Sequence, residues 1–171
     1  AQLLAQPVVA GNRVYTVDTK AEVSAFDTRS GNRLWKAELS RDDDDEGILG
    51  GGLAFEDGRL YATTGFAEVI AMDAKNGGEV WRKRLNGPIR AAPAVWAGRV
   101  FVVTTNNEIF ALAADNGRVL WTYSGLSEVA GLVGAATPAV DSGVVVVPYS
   151  SGEVAALRVE HEQLRAADQH R

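Results

Sequence analysis

Three segments of the chain repeat one pattern that ends in tryptophan. Residues 25–35 read A-F-D-T-R-S-G-N-R-L-W, residues 71–81 read A-M-D-A-K-N-G-G-E-V-W, and residues 111–121 read A-L-A-A-D-N-G-R-V-L-W. In each copy a glycine lies four residues before the tryptophan, and the copies follow one another at intervals of about 40 residues. Repeats of this length are units that cannot bury their own apolar face and must stack on neighbours. The pattern therefore predicts a repeat architecture in which most of the conspicuous residues are structural.

The stretches around the repeated pattern indicate short strands. In the first unit, apolar and polar residues alternate over residues 7–9, 13–18, 22–26 and 34–39, with turn residues such as Gly, Asn and Asp between these runs. Alternation with a period of two between such turns is typical of antiparallel hairpins. Four short strands in one unit form the meander of a propeller blade. We therefore expect an all-β fold, a β-propeller of four-stranded antiparallel blades at about residues 7–40, 51–86, 91–124 and 135–160.

The repeated residues have physical roles in such a blade. A carboxylate at the start of the turn accepts backbone N–H bonds, and the glycine supplies the positive φ that the reversal needs. The tryptophan follows on the outermost strand, where its ring can cover the seam to the adjacent blade while its N–H finds a carbonyl. The third copy has Ala113 in place of the aspartate, so we expect its turn to be capped differently. The predicted docking residues are Asp27, Gly31, Trp35, Asp73, Gly77, Trp81, Gly117 and Trp121.

Composition excludes several classes of function. The chain has 171 residues, 46% of them hydrophobic, which is enough to build a core. A net charge of -5 without a long basic run argues against a nucleic-acid surface. The absence of cysteine excludes disulfides, thiolate metal sites and cysteine nucleophiles. No run of apolar residues is long enough for a membrane span, and we expect a mature portion or an excised fragment, because the chain opens on a strand-like segment without a signal peptide.

Other candidate sites are weak. The acidic run 42–46 has the carboxylates that Ca²⁺ prefers but lacks the spacing of a calcium loop, so we interpret it as a solvated loop. His161 and His170 have no third ligand for zinc and no partners for a catalytic triad. Arg82 and Arg84 would lie on one face of an edge strand, where they discourage edge pairing. Glycines 50–52 are not followed by the Lys-Ser/Thr of a phosphate loop, so we interpret them as a flexible entry to the second blade.

The fourth copy of the repeat lacks its last strand. By the repeat register its glycine falls at Glu162 and its tryptophan at Ala166. Residues 161–171 are instead polar, which favours a short helix or a disordered tail. We therefore expect an incomplete fourth blade.

The pattern A-x-D-x-x-x-G-x-x-x-W resembles the tryptophan-docking motif of the pyrroloquinoline-quinone-like propeller repeats. That superfamily contains quinoprotein alcohol dehydrogenases and the BamB family, whose members are lipoprotein scaffolds of the bacterial outer-membrane β-barrel assembly machine. The longer segments 61–73, 87–93 and 148–154 resemble BamB blades. The resemblance covers roughly residues 7–160.

The resemblance implies a function as well as a fold. A BamB-like ring has eight blades, so this chain would supply about half of it. The implied role is a non-catalytic scaffold without a cofactor, which binds the POTRA domains of BamA and unfolded outer-membrane proteins. The implied location is the periplasmic face of the outer membrane. Family members are anchored through a lipidated N-terminal cysteine, so the anchor would lie upstream of this chain or be absent.

The loop between the third and fourth blades is the predicted partner-binding segment. In BamB relatives the corresponding loop docks on the POTRA domains, and some of them have arginine at the position of Val133. The loop in this chain is longer and more apolar than a plain connector. An exposed apolar patch there would bind a partner, although the same side chains could instead pack under the loop. The predicted partner-binding residues are Leu126, Val129, Leu132 and Val133.

Two other functions and two assemblies stay open at this point. One alternative function is a quinone-dependent dehydrogenase, although the enzymes it resembles use a complete ring and often a vicinal disulfide. The other is a propeller sensor domain of a larger signalling protein. Half a propeller leaves an apolar blade face uncovered, so we expect two chains to close one ring as a homodimer. The rival is a piece of a longer single-chain propeller.

Overall fold

The computed structural model describes residues 5–40, 50–125, 136–149 and 151–160, and within them the chain forms strands and turns but no helix. None of the elements in these ranges is a helix with the length and apolar character needed to cross a membrane. The first eight strands are β1 (Val8–Ala10), β2 (Arg13–Val17), β3 (Glu22–Asp27), β4 (Arg33–Glu38), β5 (Gly51–Glu56), β6 (Arg59–Thr64), β7 (Glu68–Asp73) and β8 (Glu79–Arg84). They are followed by β9 (Ala94–Trp96), β10 (Arg99–Val103), β11 (Glu108–Ala113), β12 (Val119–Ser124), β13 (Ala139–Asp141), β14 (Val144–Pro148) and β15 (Val154–Arg158).

The strands form four separate antiparallel sheets in the order of the sequence. Strands β1–β4, β5–β8 and β9–β12 give three sheets of four strands each, which we call blades one to three. Strands β13–β15 form the described part of blade four. Each strand pairs with the next one along the chain, so every blade is a meander. The predicted all-β fold of antiparallel meander blades is confirmed, whereas the predicted tail at 161–171 lies outside the described residues.

The blades stack face to face, with their first strands together. Strand β1 contacts β5, β5 contacts β9, and β9 contacts β13. Because neighbouring strands are antiparallel, the chain enters and leaves each blade at one end of the stack, where the turns between second and third strands also lie. We call this the connection end. The turns after the first and third strands lie at the opposite end, here the docking end.

Three apolar clusters fill the spaces between the four blades. Alternation along one strand assigns its side chains to two different clusters. In β6, Leu60 packs towards blade one, while Tyr61 packs towards blade three. In β10, Val100 packs towards blade two, while Phe101 packs towards blade four. Blades two and three are thus buried on both faces, which is why β10 is apolar from Val100 onwards.

The outward faces of blades one and four contain exposed apolar side chains. Val9 on β1 is 67% exposed and Leu34 on β4 is 45% exposed. Val144 and Val146 on β14 are each 38% exposed, because they alternate with buried residues that face blade three. The outward face of each of these two blades therefore exposes several apolar side chains.

The glycines at the start of blade two are close-packing positions, so their interpretation as a flexible entry was wrong. Gly51 and Gly52 are buried residues of β5. A Cβ on Gly51 would lie 2.0 Å from the carbonyl oxygen of Thr63, and a Cβ on Gly52 would lie 2.5 Å from the Cβ of Ala92. At Gly51 the clash lies within blade two and accompanies a left-handed φ of 104°, whereas at Gly52 the chain leading into β9 of blade three comes close to β5.

The interpretation of Arg82 as an exposed edge charge was also wrong. Its side chain is only 11% exposed and forms ion pairs with Glu68 at 2.6 Å and with Glu79 at 2.9 Å. The guanidinium also donates to the backbone carbonyl of Leu39 at 3.1 Å, which ties blade two to the end of blade one. Burial acts to lower the pKa of Arg82, but its bonds to Glu79 and Glu68 outweigh this effect and raise it. Arg84, in contrast, is exposed.

Replacing Gly52 with alanine should destabilise the stack, because the new methyl group collides with Ala92 and its backbone. We expect a loss of about 1–3 kcal/mol in the free energy of unfolding, typical of an overpacked core. Urea denaturation of Gly52→Ala and the parent chain measures it. Gly78→Ala is the matched control, because its methyl group meets only the exposed Asn76 side chain, and it should change stability by less than about 0.5 kcal/mol. Equal losses in the two variants would contradict the close-packing role.

Candidate functional site

The docking turns of blades one and two begin with an aspartate that caps the backbone. Oδ1 of Asp27 accepts the backbone N–H groups of Arg29 at 3.0 Å and of Ser30 at 2.8 Å. Oδ1 of Asp73 accepts the N–H of Lys75 at 2.7 Å. The turn of blade three has Ala113 in place of the aspartate and keeps the asparagine cap that blade two also has: Asn116 Oδ1 accepts the N–H of Arg118 at 2.9 Å, as Asn76 Oδ1 accepts that of Gly78 at 2.8 Å.

The glycine of each turn has a left-handed backbone and closes the reversal. Gly31, Gly77 and Gly117 have φ values of 70°, 77° and 73°. Their N–H groups donate to the carbonyls of Asp27, Asp73 and Ala113 at 2.9, 2.8 and 2.8 Å. The turn geometry is therefore the same in all three blades, with or without the aspartate.

Each tryptophan extends from the outermost strand of its blade onto the docking turn of the next. Trp35 pairs with Ala25 of the neighbouring strand, beside a register shift, and equivalent shifts lie beside Trp81 and Trp121. A Cβ on Gly77 would lie 2.6 Å from the ring of Trp35, and a Cβ on Gly117 would lie 2.6 Å from the ring of Trp81. The glycine thus has a second role that the sequence did not reveal. Because it has no side chain, the tryptophan ring of another blade can pack directly on its backbone.

At the first junction, three donors of blade one converge on one carbonyl oxygen of blade two. The oxygen of Ala74 accepts Arg13 Nη1 at 2.9 Å, the Tyr15 hydroxyl at 3.2 Å and Trp35 Nε1 at 3.2 Å. Arg13 Nη1 also donates to the carbonyl of Lys75 at 3.0 Å. The indole and the guanidinium are anchored together, which fixes the angle between the two blades.

The second junction repeats this arrangement one blade further on. The oxygen of Ala114 accepts Arg59 Nη1 at 3.0 Å, the Tyr61 hydroxyl at 3.3 Å and Trp81 Nε1 at 2.9 Å. Burial raises the pKa of the Tyr61 hydroxyl against the opposing effect of Arg59, so the phenol stays a neutral donor. The arginine and the tyrosine were not among the residues predicted from the sequence, although R-V-Y at 13–15 and R-L-Y at 59–61 are a repeated signal.

The third junction has the tryptophan but not the other two donors. Trp121 Nε1 donates to the carbonyl of Val159 at 3.2 Å. Phe101 replaces the tyrosine, and Arg99 Nη1 donates to Ala97 of its own blade at 3.3 Å. The ring contact is nevertheless unchanged, because the centroids of Phe101 and Trp121 lie 6.0 Å apart, as do those of Tyr15 and Trp35. Apolar ring packing therefore positions the tryptophan, and the arginine and tyrosine donors of the first two junctions add hydrogen bonds to that packing.

The predicted partner-binding residues Leu126, Val129, Leu132 and Val133 lie outside the described residues. So do the acidic run 42–46 and His161 and His170. The residue before the predicted loop is described: Gly125 donates its N–H to the carbonyl of Asn107 at 2.8 Å, and a Cβ on it would lie 2.8 Å from the ring of Tyr149. Burial raises the pKa of Tyr149, whose hydroxyl has no hydrogen-bond partner within the described ranges. The loop therefore begins at a well-packed point of the connection end.

The described residues contain no group of three or more His, Asp or Glu side chains placed to hold a metal ion. The junctions fix the relative positions of the blades and therefore of the surfaces that these residues present.

The tryptophan of the second junction should contribute far more to stability than the tyrosine beside it. Trp81→Ala should cost about 3–5 kcal/mol, because it removes a buried ring and one donor. Tyr61→Phe should cost less than about 1.5 kcal/mol, because Arg59 and Trp81 still satisfy the carbonyl of Ala114. Urea denaturation of both variants measures the difference. If Tyr61→Phe cost as much stability as Trp81→Ala, the packing of the indole ring would not be the main contribution to the junction.

Acidification should release the cap of the first docking turn. Hydrogen bonds from the backbone and side chain of Ser30 and from Arg29 lower the pKa of Asp27. A depressed pKa means that the cap is fully formed above the unfolded value of about 3.9 and is lost as the pH falls through the lower folded value. The amide resonance of Ser30 should therefore move during an NMR titration from about pH 5 to about pH 2. Asp27→Asn is the control; a resonance that moves equally in that variant would mean that another group is responsible.

Comparison with known proteins identifies the repeat. The family model described as outer membrane protein assembly factor BamB matches residues 1–44 and 19–169. An uncharacterized protein of Rickettsia prowazekii is 32% identical over 166 residues, which cover 96% of this chain and 40% of that protein. Outer membrane protein assembly factor BamB of Yersinia pestis is 29% identical over 164 residues, which cover 93% of this chain and 42% of that protein. The chain thus spans about two fifths of the length of these relatives.

Solved structures show the same architecture. The crystal structure of BamB from Moraxella catarrhalis superposes with a TM-score of 0.78 at 22% identity, over 90% of this chain and 45% of that one. Quinohemoprotein alcohol dehydrogenase from Comamonas testosteroni superposes with a TM-score of 0.61 at 28% identity, over 71% of this chain and 21% of that one. Both matches fit stacked propeller blades, and the BamB structure matches more of the chain. Together with the repeated tryptophan docking, the family model, which matches nearly all of the sequence, shows that the chain belongs to the BamB family of β-propellers with pyrroloquinoline-quinone-like repeats.

Proposed function

We propose that the chain is a non-catalytic scaffold in the assembly of outer-membrane β-barrel proteins. In this role it binds the POTRA domains of BamA and unfolded outer-membrane proteins at the periplasmic face of the outer membrane. Membership of the BamB family supports the proposal, as do relatives named outer membrane protein assembly factor. Because the chain spans only about two fifths of those relatives, their partners are assigned to it here as a proposal.

The observation that carries the proposal is that the junctions hold the blades in fixed positions, while the apolar segment 126–133 of the sequence follows directly on the described part of blade three. The tryptophan, tyrosine and arginine donors of the first two junctions converge on turns at the docking end. Arg82 joins blades one and two at the connection end, where Gly125, the last described residue before that segment, also lies. Binding residues are commonly found on loops that a rigid framework positions. Blades held in fixed positions provide such a framework for the segment.

The proposed contact with BamA is the apolar part of the loop between blades three and four. Leu126, Val129, Leu132 and Val133 supply apolar area without a charge. A patch of this kind binds by excluding water from a complementary surface. With Val133 in place of the arginine of some relatives, binding would depend on apolar contact more than on ion pairing.

Replacing Leu132 with aspartate tests this contact. We expect the Kd for the POTRA domains, measured by calorimetry, to rise at least about tenfold, because the patch acquires a charge that the partner does not pair. The melting temperature should stay within about 2 °C of the parent if the side chain is exposed.

Val80→Asp is the matched control. Val80 is an exposed valine near the start of β8, the outermost strand of blade two, at the docking end. It should bind the POTRA domains as the parent does. Equal weakening by the two substitutions would contradict the loop as the contact, and a large fall in melting temperature with Leu132→Asp would mean that this side chain packs under the loop.

The alternative functions remain predictions. The fold that the chain shares with quinohemoprotein alcohol dehydrogenase from Comamonas testosteroni favours the alternative of a quinone-dependent dehydrogenase. A visible quinone absorbance after reconstitution, or Ca²⁺-dependent dye reduction, would support it. No observation favours a sensor domain. The homodimer also stays a prediction, and light scattering would reveal it as a species of twice the 18.2 kDa mass of the chain.

A further inference from the structure

The sequence contains three Asn-Gly pairs, at residues 76–77, 86–87 and 116–117. Asparagine followed by glycine is a pair prone to spontaneous deamidation, because the backbone nitrogen of a residue without a side chain can reach the asparagine amide. In all three pairs the asparagine is exposed and the glycine is buried. Exposure therefore does not distinguish the pairs, and the hydrogen bonds around each pair decide which of them can react.

Two of the pairs lie in docking turns, where both reacting groups are already engaged. Asn76 Oδ1 accepts the N–H of Gly78 at 2.8 Å, and Asn116 Oδ1 accepts that of Arg118 at 2.9 Å. The glycine N–H of each pair donates to a carbonyl of its own turn at 2.8 Å, and a tryptophan ring packs on each glycine. These contacts hold the asparagine side chain towards the residue after the glycine and hold the glycine nitrogen away from it.

The pair at 86–87 lies in the connection between blades two and three and lacks this protection. Gly87 does not have the left-handed backbone of the turn glycines. Its N–H donates to no acceptor among the residues that the structure describes. The nitrogen that would attack the asparagine amide is therefore not engaged in a backbone hydrogen bond of this part of the chain.

The side-chain amide of Asn86 lies against a carboxylate of blade three. Its Nδ2 donates to Oε2 of Glu108 at 2.5 Å, and Oε1 of the same carboxylate accepts the hydroxyl of Ser124 at 3.3 Å. The amide orientation follows from chemistry, because an ionised carboxylate only accepts. When an asparagine amide is attacked, its nitrogen becomes an amine that gains a proton and a positive charge before it leaves. A carboxylate fixed beside that nitrogen stabilises the developing charge.

Asn106 contacts the same pair from the other side. A Cβ on Gly87 would lie 2.6 Å from Nδ2 of Asn106, so the position has room only for glycine. The same Nδ2 donates to the backbone carbonyl of Asn86 at 3.4 Å. That carbonyl belongs to the peptide group whose nitrogen attacks, and a donor on it withdraws electron density and makes the Gly87 N–H easier to deprotonate. Glu108 and Asn106 thus act on the two ends of one reaction.

We propose that Asn86 is a site of spontaneous deamidation that Glu108 of the neighbouring blade assists. The nitrogen of Gly87 forms a bond with Cγ of Asn86, and the bond between Cγ and Nδ2 breaks. Ammonia leaves with a proton that replaces, through solvent, the one lost by Gly87. Water then adds to either carbonyl carbon of the cyclic imide and opens it to aspartate or isoaspartate. The reaction needs water alone, and nothing is oxidised or reduced.

Deamidation would change the seam between blades two and three at the connection end. The donor to Glu108 is replaced by a second carboxylate, so a hydrogen bond becomes a contact between like charges. Isoaspartate also adds a methylene group to the backbone at this point. Glu108 begins β11, and its neighbour Asn107 accepts the N–H of Gly125, directly before the segment 126–133. The inference goes beyond the proposed function, because the reaction does not require that this segment binds a partner.

Peptide mapping of the full chain tests the proposal. Trypsin cleaves after lysine and arginine and therefore places the three pairs in separate peptides, 76–82, 85–90 and 100–118. During incubation at neutral pH, peptide 85–90 should gain about 1 Da and separate into aspartate and isoaspartate forms. This conversion should be at least about tenfold faster than at the other two pairs. In concentrated urea, where the contacts of the seam are lost, the three rates should become similar.

Glu108→Gln is the matched variant for the assisting group. Glutamine has the size of glutamate and can still accept from Asn86, but it has no charge to stabilise the leaving nitrogen. The substitution should slow conversion at Asn86 by about tenfold or more. The pairs at 76–77 and 116–117 are the internal control, because a loosened fold would accelerate them as well.

Asn86→Asp reproduces one product and tests its effect on the seam. It should lower the melting temperature by roughly 2–4 °C, because a hydrogen bond to a carboxylate is lost and a like charge is added. Asn116→Asp makes the same change of charge, but its carboxylate can still accept the N–H of Arg118. That control should stay within about 1 °C of the parent.

Three results would overturn the proposal. The first is conversion of Asn86 in the native chain that is no faster than conversion of Asn76 and Asn116. The second is an unchanged rate at Asn86 in Glu108→Gln, which would mean that the pair reacts through its sequence alone. The third is aspartate without isoaspartate, which would indicate direct hydrolysis instead of a cyclic imide. None of these results depends on whether the segment 126–133 binds POTRA domains.

Discussion

The packing of an indole ring on a glycine of the next blade is the contact on which this structure depends. At the first two junctions it joins a tryptophan beside a register shift on the outermost strand to a left-handed glycine on the neighbouring turn. At the third junction Trp121 still donates to blade four, although the repeat register places Glu162 at the glycine position there. A buried tryptophan contributes a large apolar area and also needs a partner for its N–H, which the carbonyl three residues before the glycine provides. The interval between repeats follows from this requirement, because each blade must place its ring on the next turn in the same way.

The position of a blade in the stack explains the composition of its strands. Strands of blades two and three pack on two neighbours, so β6 and β10 contain few residues that face water. Strand β14 of blade four alternates between buried and exposed valines instead, since only one of its faces has a neighbour among the described residues. The valines on its outward face have the β propensity that the strand needs but none of the polar groups that would dock on another blade. The burial of two successive side chains on one strand thus distinguishes an internal blade, in which both are buried, from a terminal blade, in which only one is.

The sequence predicted the blades and the tryptophans because both depend on local pattern. Alternation marks the strands, and a fixed interval between glycine and tryptophan marks the turn. The errors at Gly52 and Arg82 arise from contacts between residues about 40 positions apart, namely Ala92 and Leu39. Nothing local distinguishes a glycine that is needed for close approach from one that loosens a loop. The roles of Arg13 and Tyr15 were predictable in principle, because the same spacing of arginine and tyrosine recurs at Arg59 and Tyr61.

The junctions also give the stack a direction. The docking turn of each blade accepts the tryptophan of the blade before it, and the tryptophan of each blade packs on the docking turn of the blade after it. The two terminal blades are therefore not equivalent. Blade one retains a complete turn, with its cap, its left-handed glycine and its backbone hydrogen bonds, although no ring in the described residues uses it. At blade four, Val144 and Val146 stand where blades one and two have an arginine and a tyrosine. The two outward faces of the described stack therefore differ in chemistry, because blade one presents a capped polar turn beside Val14 and Phe26, whereas blade four presents a row of valines.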